Sequence, residues 1–252
     1  WNHYLDNPRL LIMRFGILVF PGTWSDTDCY YQVKDILGQD ADYVWHDETS
    51  LDGFDSVILP GGFSYGDYLR PGAMARFSPV MDALNRFVAS GKTAIGICNG
   101  FQILCESGLL PGALLPNKHL EYRCQPTHLR TERADTPFTR VCDQGQILDV
   151  PVSHGEGNYF ADTDTLAQLE EDGRVLFRYC NSFGEATEEA NPNGSANNIA
   201  GIINETGNVL GMMPHPERYL TRYNHPRWTR EDLAAEGDGL AIFRHAVNYV
   251  SS

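Results

Sequence analysis

The chain has 252 residues, 42% of them hydrophobic and 21% charged, with 19 Lys plus Arg against 33 Asp plus Glu and a formal net charge of −14. A balance this acidic argues against a nucleic-acid polymer as partner, because phosphate contacts need clustered Lys and Arg, and against docking on an anionic membrane surface. No apolar run approaches the roughly 20 residues of a spanning helix, and the length suits one α/β domain with a full core.

Residues 1–12, from Trp1 to Ile12, show no periodicity and are expected to form an extension outside the fold, which leaves 13–252 as a single domain. Phe15 to Phe20 is a continuous apolar run closed by Pro21-Gly22, which suits a strand buried on both faces of a parallel sheet. Asp28 to Leu37 reads as a helix, with Ser25 or Thr27 as cap and Gly38 as stop. Short strands follow at Tyr43 to Trp45 and Val57 to Leu59, the second ending at Pro60-Gly61-Gly62. Ser78 and Pro79 open a helix in which Val80, Ala83, Leu84, Phe87 and Val88 make one apolar stripe, and Gly91 ends it. Thr93 to Ile97 is a strand and Phe101 to Ser107 a helix.

Beyond Pro111 the texture is richer in strands. His128 to Thr131 and Ile147 to Val152 are expected strands, and Ile199 to Ile203 and Val209 to Met213 flank a hairpin turn at 204–208. A last helix is expected from about Asp238 to Tyr249, with Leu240, Phe243, Val247 and Val250 on one face. Two polar stretches, 181–198 and 219–237, read as loops that could be interface or lid segments, or simply solvated chain. Alternating strands and helices followed by a β-rich half predict one α/β domain, a mostly parallel, doubly wound sheet with an antiparallel portion.

Six cysteines stand at 29, 98, 105, 124, 142 and 180, without a C-x-x-C pair and in no zinc or disulfide spacing. The eight histidines make no H-x-x-x-H pair, so no metal is expected. Free thiols in a reducing cytoplasm follow as the expectation. One thiol stands apart. Gly96-Ile97-Cys98-Asn99-Gly100 joins an apolar strand to a helix in the small-x-nucleophile-x-small pattern of a nucleophile elbow. Glycines two positions either side of Cys98 allow the close approach that such a turn demands. The turn sets the sulfur at the C-terminal edge of the sheet, the helix N-terminus favours a thiolate, and the Asn99 N–H can face an oxyanion.

A nucleophile needs a base and the base an orienter. Pro214-His215-Pro216-Glu217 supplies both at the end of another apolar strand, and in an extended segment residues 215 and 217 would project to the same side. Gly61-Gly62, directly after a strand, can expose a second N–H to an oxyanion. His154, in Ser153-His154-Gly155-Glu156-Gly157, is a rival base.

Together these residues resemble the class I (triad) glutamine amidotransferases, whose marks are a P-G-G turn, a G-x-C-x-G-x-Q elbow and a downstream H-P-E. They stand here as Pro60-Gly61-Gly62, Gly96 to Gln102 and His215-Pro216-Glu217, and the likeness runs from Arg14 to the end of the chain. It is strongest to the glutaminase subunits of the purine-pathway synthase that converts formylglycinamide ribonucleotide to its amidine, in segments 45–51, 60–70, 96–104, 151–158 and 211–218.

The resemblance implies a flavodoxin-like fold and a Cys98 that attacks the side-chain amide of glutamine to form a γ-glutamyl thioester. It implies His215 as proton relay, Glu217 as its orienter, and Gly62 and Asn99 as oxyanion donors. Gln102 would help hold substrate glutamine, and the backbone of Ser153, His154 and Gly155 would grip its α-groups. It implies no cofactor in this chain, ammonia passing to a separate synthetase subunit that uses ATP and Mg²⁺, and a small third subunit in the complex. No phosphate-cradling G-x-x-x-x-G-K-[ST] is present. The chain departs from the family at Pro21-Gly22-Thr23-Trp24-Ser25-Asp26, where many members have P-G-S-N-C-D, and in the enlarged stretches 181–198 and 219–237. An amidotransferase of another pathway, a γ-glutamyl hydrolase and an inactive scaffold remain as other readings. Activity is expected to be weak without the partner. The 63–70 loop, with Phe63, Tyr65, Tyr68 and Arg70 as interface anchors or as loop packing, is the expected responder.

Overall fold

A computed structural model describes residues 12–250, with side chains to Arg244. Except for Ile12, the expected N-terminal extension lies outside the described residues. Met13 is already fully buried, and its N–H donates to Gln39 Oε1 at 2.9 Å.

A nine-stranded sheet runs through the domain. Its strands are β1 (Arg14–Val19), β2 (Asp40–Trp45), β3 (Ser56–Leu59), β4 (Thr93–Ile97), β6 (Arg123–Thr131), β7 (Ile147–His154), β9 (Val175–Cys180), β10 (Ile199–Ile203) and β11 (Val209–Met212); β5 (Ala113–Leu115) and β8 (Asn158–Phe160) pair separately. The order is β2-β1-β3-β4-β11-β10-β9-β6-β7. Pairings from β2 to β11 are parallel, in the flavodoxin-like order, and those beyond β11 are antiparallel. The expected α/β class is therefore observed, with its antiparallel portion attached at the 199–212 hairpin. Every residue of the central strands β3, β4, β10 and β11 is buried, as strands covered on both faces must be.

The helices are α1 (Asp26–Tyr31), α2 (Pro79–Ala89), α3 (Asn99–Glu106), α4 (Thr163–Glu171) and α5 (Gly239–Val250). The five stripe residues of α2 are all buried. On α5 Leu240 and Phe243 are buried as expected, while the side chains of Val247 and Val250 lie outside the described residues. The helix expected over 28–37 differs. It starts two residues earlier, and from Gln32 it widens into a π turn to Ile36, where the Leu37 N–H reaches Gln32 O at 3.0 Å. Ser25 does not cap it, because its Oγ accepts a hydrogen bond from Arg218 instead.

Strand β6 begins five residues before the expected His128. Its first half holds Pro126 and pairs only with the edge strand β7, where a missing N–H breaks no second ladder. Neither β9 nor α4 is expected from the sequence pattern; α4 is capped by Asp162, whose Oδ1 accepts from Thr165 N at 2.8 Å.

Candidate active site

Cys98 follows β4 directly and precedes α3, with φ 51° and ψ −104°. A non-glycine residue in this region is strained and persists only where its surroundings hold it. Here the hold is tight. A Cβ on Gly96 would sit 2.7 Å from Gly100 O, and one on Gly100 would overlap the Leu59 carbonyl. Both glycines are steric requirements of the elbow, as the spacing predicted.

The base comes from the neighbouring strand. β4 and β11 pair in parallel with Ile97 opposite Met212, and Cys98 N–H donates to Met212 O at 2.7 Å. The chain leaving β11 is pinned by His215 N–H donating to Pro151 O at 2.8 Å. His215 Nδ1 lies 2.6 Å from Glu217 Oε1, and both residues are 2% exposed. The contact arises differently from the alternation expected of an extended segment. Pro216–Arg218 is a single 3₁₀ turn that folds Glu217 back beneath the ring.

Burial alone would drive the His215 imidazolium to lower pH. The Glu217 carboxylate and the nearby Cys98 sulfur outweigh it and push His215 up to about 10. Cys98 also reaches the Ser153 carbonyl, at 3.7 Å.

The Pro60-Gly61-Gly62 turn meets both groups. A Cβ on Gly61 would stand 2.7 Å from His215 Cε1, so the glycine is what lets the imidazole lie against the turn. Gly62, at φ 154°, crosses the 21–26 loop so closely that a Cβ would meet Gly22 O and Trp24 N at 2.7 Å. Neither the Gly62 nor the Asn99 backbone N–H donates to a protein acceptor among the described residues.

Asn99 and Gln102 belong to a buried relay. Asn99 Oδ1 accepts from Ser64 N at 3.1 Å, Asn99 Nδ2 donates to Gln102 Oε1 at 2.9 Å, and Gln102 Nε2 donates to Glu156 O at 2.7 Å.

These residues line a cavity of about 140 Å³ that holds Cys98, His215, Gly62 and Gln102 together with Ser153, His154 and Gly155. The expected site residues converge there, apart from Glu217 and Asn99, which support it from behind. His154, the rival base, has its Nε2 turned to Asn193 rather than to Cys98. Its burial, with His215 nearby, pulls it down to about 3, and its Nε2 lies 3.0 Å from Asn193 Nδ2. Gly157 leaves room for that ring, since a Cβ would overlap it.

Seven lining residues, Trp24, Phe63, Asp67, Pro71, Tyr122, Glu156 and Arg218, were not singled out for the site by the sequence. Trp24, in the atypical first loop, covers the cavity with Arg218 stacked on its ring at 4.7 Å and Phe63 at 6.4 Å. Asp67 and Glu156 add carboxylates. The 63–70 loop has a divided role. Tyr65 is packed, its hydroxyl 3.0 Å from both His46 Nδ1 and Ser78 Oγ, and Arg70 makes a bidentate pair with Glu106. Phe63, Tyr68 and Leu69 are exposed.

The polar stretch 181–198 is solvated over much of 181–190 and anchored in its second half. Asn193 is fully buried and bonds His154 and Tyr179, while Asn198 Nδ2 donates to Tyr179 O and Thr187 O. The 219–237 stretch is tied by a capping box between Thr221 and Asn224 and by buried His225, 3.0 Å from Asp149.

The profile of the family described as CobB/CobQ-like glutamine amidotransferase domain matches residues 12–250. A protein named phosphoribosylformylglycinamidine synthase subunit PurQ from Moorella thermoacetica is 59% identical over 206 residues, covering 82% of this chain and 87% of that protein. One of the same name from Salinibacter ruber is 52% identical over 238 residues, covering 94% and 97%. Among solved structures, a chain of PurLQS from Thermotoga maritima superposes with a TM-score of 0.81 at 38% identity, covering 95% of this chain and all of that one. The elbow, the folded-back His–Glu pair and this similarity along almost the whole length agree: the chain belongs to the CobB/CobQ-like glutamine amidotransferase family and, within it, to the PurQ subunits.

Proposed function

We propose that this chain is the glutaminase subunit of a phosphoribosylformylglycinamidine synthase, with Cys98, His215 and Glu217 as its catalytic residues. The observation that carries the reading is the strained Cys98 elbow sharing one cavity with a buried His215 that Glu217 holds at 2.6 Å.

In the proposed reaction the Cys98 thiolate attacks the amide carbon of glutamine. The carbonyl oxygen takes the charge and is met by the N–H groups of Gly62 and Asn99. His215, held protonated by Glu217, gives its proton to the departing nitrogen, and the C–N bond breaks to release ammonia and leave a γ-glutamyl thioester. Water then attacks the thioester while His215 takes its proton, and glutamate leaves with the thiolate restored. The sum is glutamine plus water to glutamate plus ammonia. This chemistry draws on the chain's own residues, and we assign it no cofactor.

Ammonia would pass to a synthetase subunit carrying ATP and Mg²⁺, in a complex that includes a small third subunit. The names of the relatives support that partnership, as do Phe63, Tyr68 and Leu69, exposed on the loop that also carries the cavity residue Asp67. The test is Cys98→Ala in the reconstituted complex. Glutamine-dependent synthesis is expected to vanish while ammonia-dependent synthesis persists, and retained glutamine hydrolysis would remove Cys98 from the mechanism.

A further inference from the structure

Two backbone N–H groups from different segments must meet one oxyanion. Gly62 lies in the turn after β3, and Asn99 opens α3. The ladder between β3 and β4 ends with Leu59 opposite Gly96, short of both donors, so it does not space them. On its outer side the turn is held by the 21–25 loop. Phe63 N–H donates to Gly22 O at 2.9 Å, and Gly61 O accepts from Trp24 N and Ser25 N, both at 3.0 Å. Toward the elbow it is held by Ser64 N–H donating to Asn99 Oδ1 at 3.1 Å. The side chain of one oxyanion residue thus grips the backbone just past the other.

The orientation of that amide is fixed from both ends. Ser64 N–H can only donate, so Asn99 turns Oδ1 toward it and offers Nδ2 to Gln102 Oε1 at 2.9 Å. Gln102 then presents Nε2 to the Glu156 carbonyl, which can only accept, at 2.7 Å. Turning either amide over would set donor against donor or acceptor against acceptor. Asn99 and Gln102 are both buried, where an unmade hydrogen bond costs its full desolvation. Ser64 Oγ is buried without a partner among the described residues, so what Ser64 gives to this contact is its backbone N–H.

We propose that the Asn99 side chain is a positioning residue: by accepting the Ser64 N–H it sets the spacing between the Gly62 and Asn99 N–H groups, and so governs turnover rather than glutamine binding. The inference rests on the glutaminase reading above and extends it to the group that holds the oxyanion donors in place. The tie serves a charge that exists only while the thioester forms and breaks, so its loss lowers kcat and kcat/KM alike. The nucleophile is placed separately, by Cys98 N–H on Met212 O at 2.7 Å.

The test follows glutamine hydrolysis by the full chain reconstituted with its synthetase subunit, in two variants that cut the tie from opposite ends. Asn99→Leu keeps the size of the side chain and removes the acceptor. Ser64→Pro removes the donor; Ser64 opens a 3₁₀ turn and is not at positive φ, a position that proline can take. Each is expected to lower kcat by about 10- to 100-fold, the scale of an oxyanion donor displaced rather than deleted. Asn99→Leu also frees Gln102, so KM is read on Ser64→Pro, where it should stay within about 3-fold of native. The double variant should be no slower than the slower single one, because both cut the same bond. Alkylation of Cys98 by iodoacetamide needs the thiolate but no oxyanion, so its rate should stay within about 2-fold of native throughout. If Asn99→Leu folds poorly, kcat and alkylation of Ser64→Pro decide. Native kcat in a folded variant, a Ser64→Pro loss carried by KM, multiplicative losses, or alkylation that slows in step with kcat would overturn the inference while leaving the glutaminase reading intact. Absence of glutamine turnover in the native complex would instead sink that reading.

Discussion

Gly61→Ala tests how the turn after β3 serves the base. The backbone at Gly61 is not left-handed, so alanine can adopt it without strain. The new methyl would lie 2.7 Å from His215 Cε1 and 3.3 Å from Ser25 Oγ. Ordinary carbon contacts need roughly 3.5 to 4 Å, so the imidazole must shift by about 1 Å. It cannot do so freely, since its ring bonds Glu217 at 2.6 Å and its own N–H is tied to Pro151. A misplacement of that size in a catalytic group costs on the order of 10²-fold in rate. Ammonia release under saturating glutamine should therefore fall about 10²-fold in kcat with little change in KM. Stability should drop by about 1 to 3 kcal/mol, the range for a mildly overpacked site. Because Glu217→Gln disturbs the same ring, Gly61→Ala/Glu217→Gln should lose less than the product of the two single losses. A folded Gly61→Ala protein with native kcat would refute the reasoning, and so would strictly multiplicative losses.

Two further predictions concern protons. The folded protein holds a proton on His215 up to about pH 10, while an unfolded chain releases it near 6.5. That stabilisation is complete below pH 6.5 and fades as pH rises toward 10, so the Tm gap between native protein and Glu217→Gln should narrow across that window; a gap that widened would show that Glu217 does not act through His215. His154 has the opposite sign. The unfolded chain takes up its proton near 6.5 and the folded one only near 3, so this residue costs stability as pH falls through that interval. The acid limb of the His154→Gln denaturation profile should be shallower than the native one, and identical slopes would argue against a neutral, buried His154.

Much of the site was legible because it depends on short-range sterics. The glycines around Cys98 announce a turn that no larger residue can enter, and the close contacts at Gly96 and Gly100 are its structural expression. The HPE triplet was legible as an assembly but not as a geometry, since alternation and a 3₁₀ turn bring 215 and 217 together by different routes. What escaped was long-range. Gly61 is a glycine because of a histidine more than 150 residues away. Asn193 and Asn198 sit in a stretch whose composition says surface loop, yet they satisfy buried partners on β7 and β9. Asp67 looks like any loop acid until its neighbours in the cavity are known. The first half of β6 carries no strand signal before His128, and its one-sided pairing shows why Pro126 is tolerated there.

The register between β4 and β11 has a consequence for how the site comes apart. Nucleophile and base each extend a strand in the most deeply covered part of the sheet, and one ladder, with Ile97 opposite Met212, sets their separation. Their alignment cannot fray on its own; it opens only with the sheet. The Asp67 loop is tied at Ser64, Tyr65 and Arg70, with strained Asp67 and exposed Tyr68 and Leu69 between them. Amide exchange should divide the cavity accordingly, with Ile97 and Met212 opening at the free energy of global unfolding and the 64–69 segment far below it. One wall of the cavity is then as durable as the fold, and the other is free to answer to whatever binds beside it.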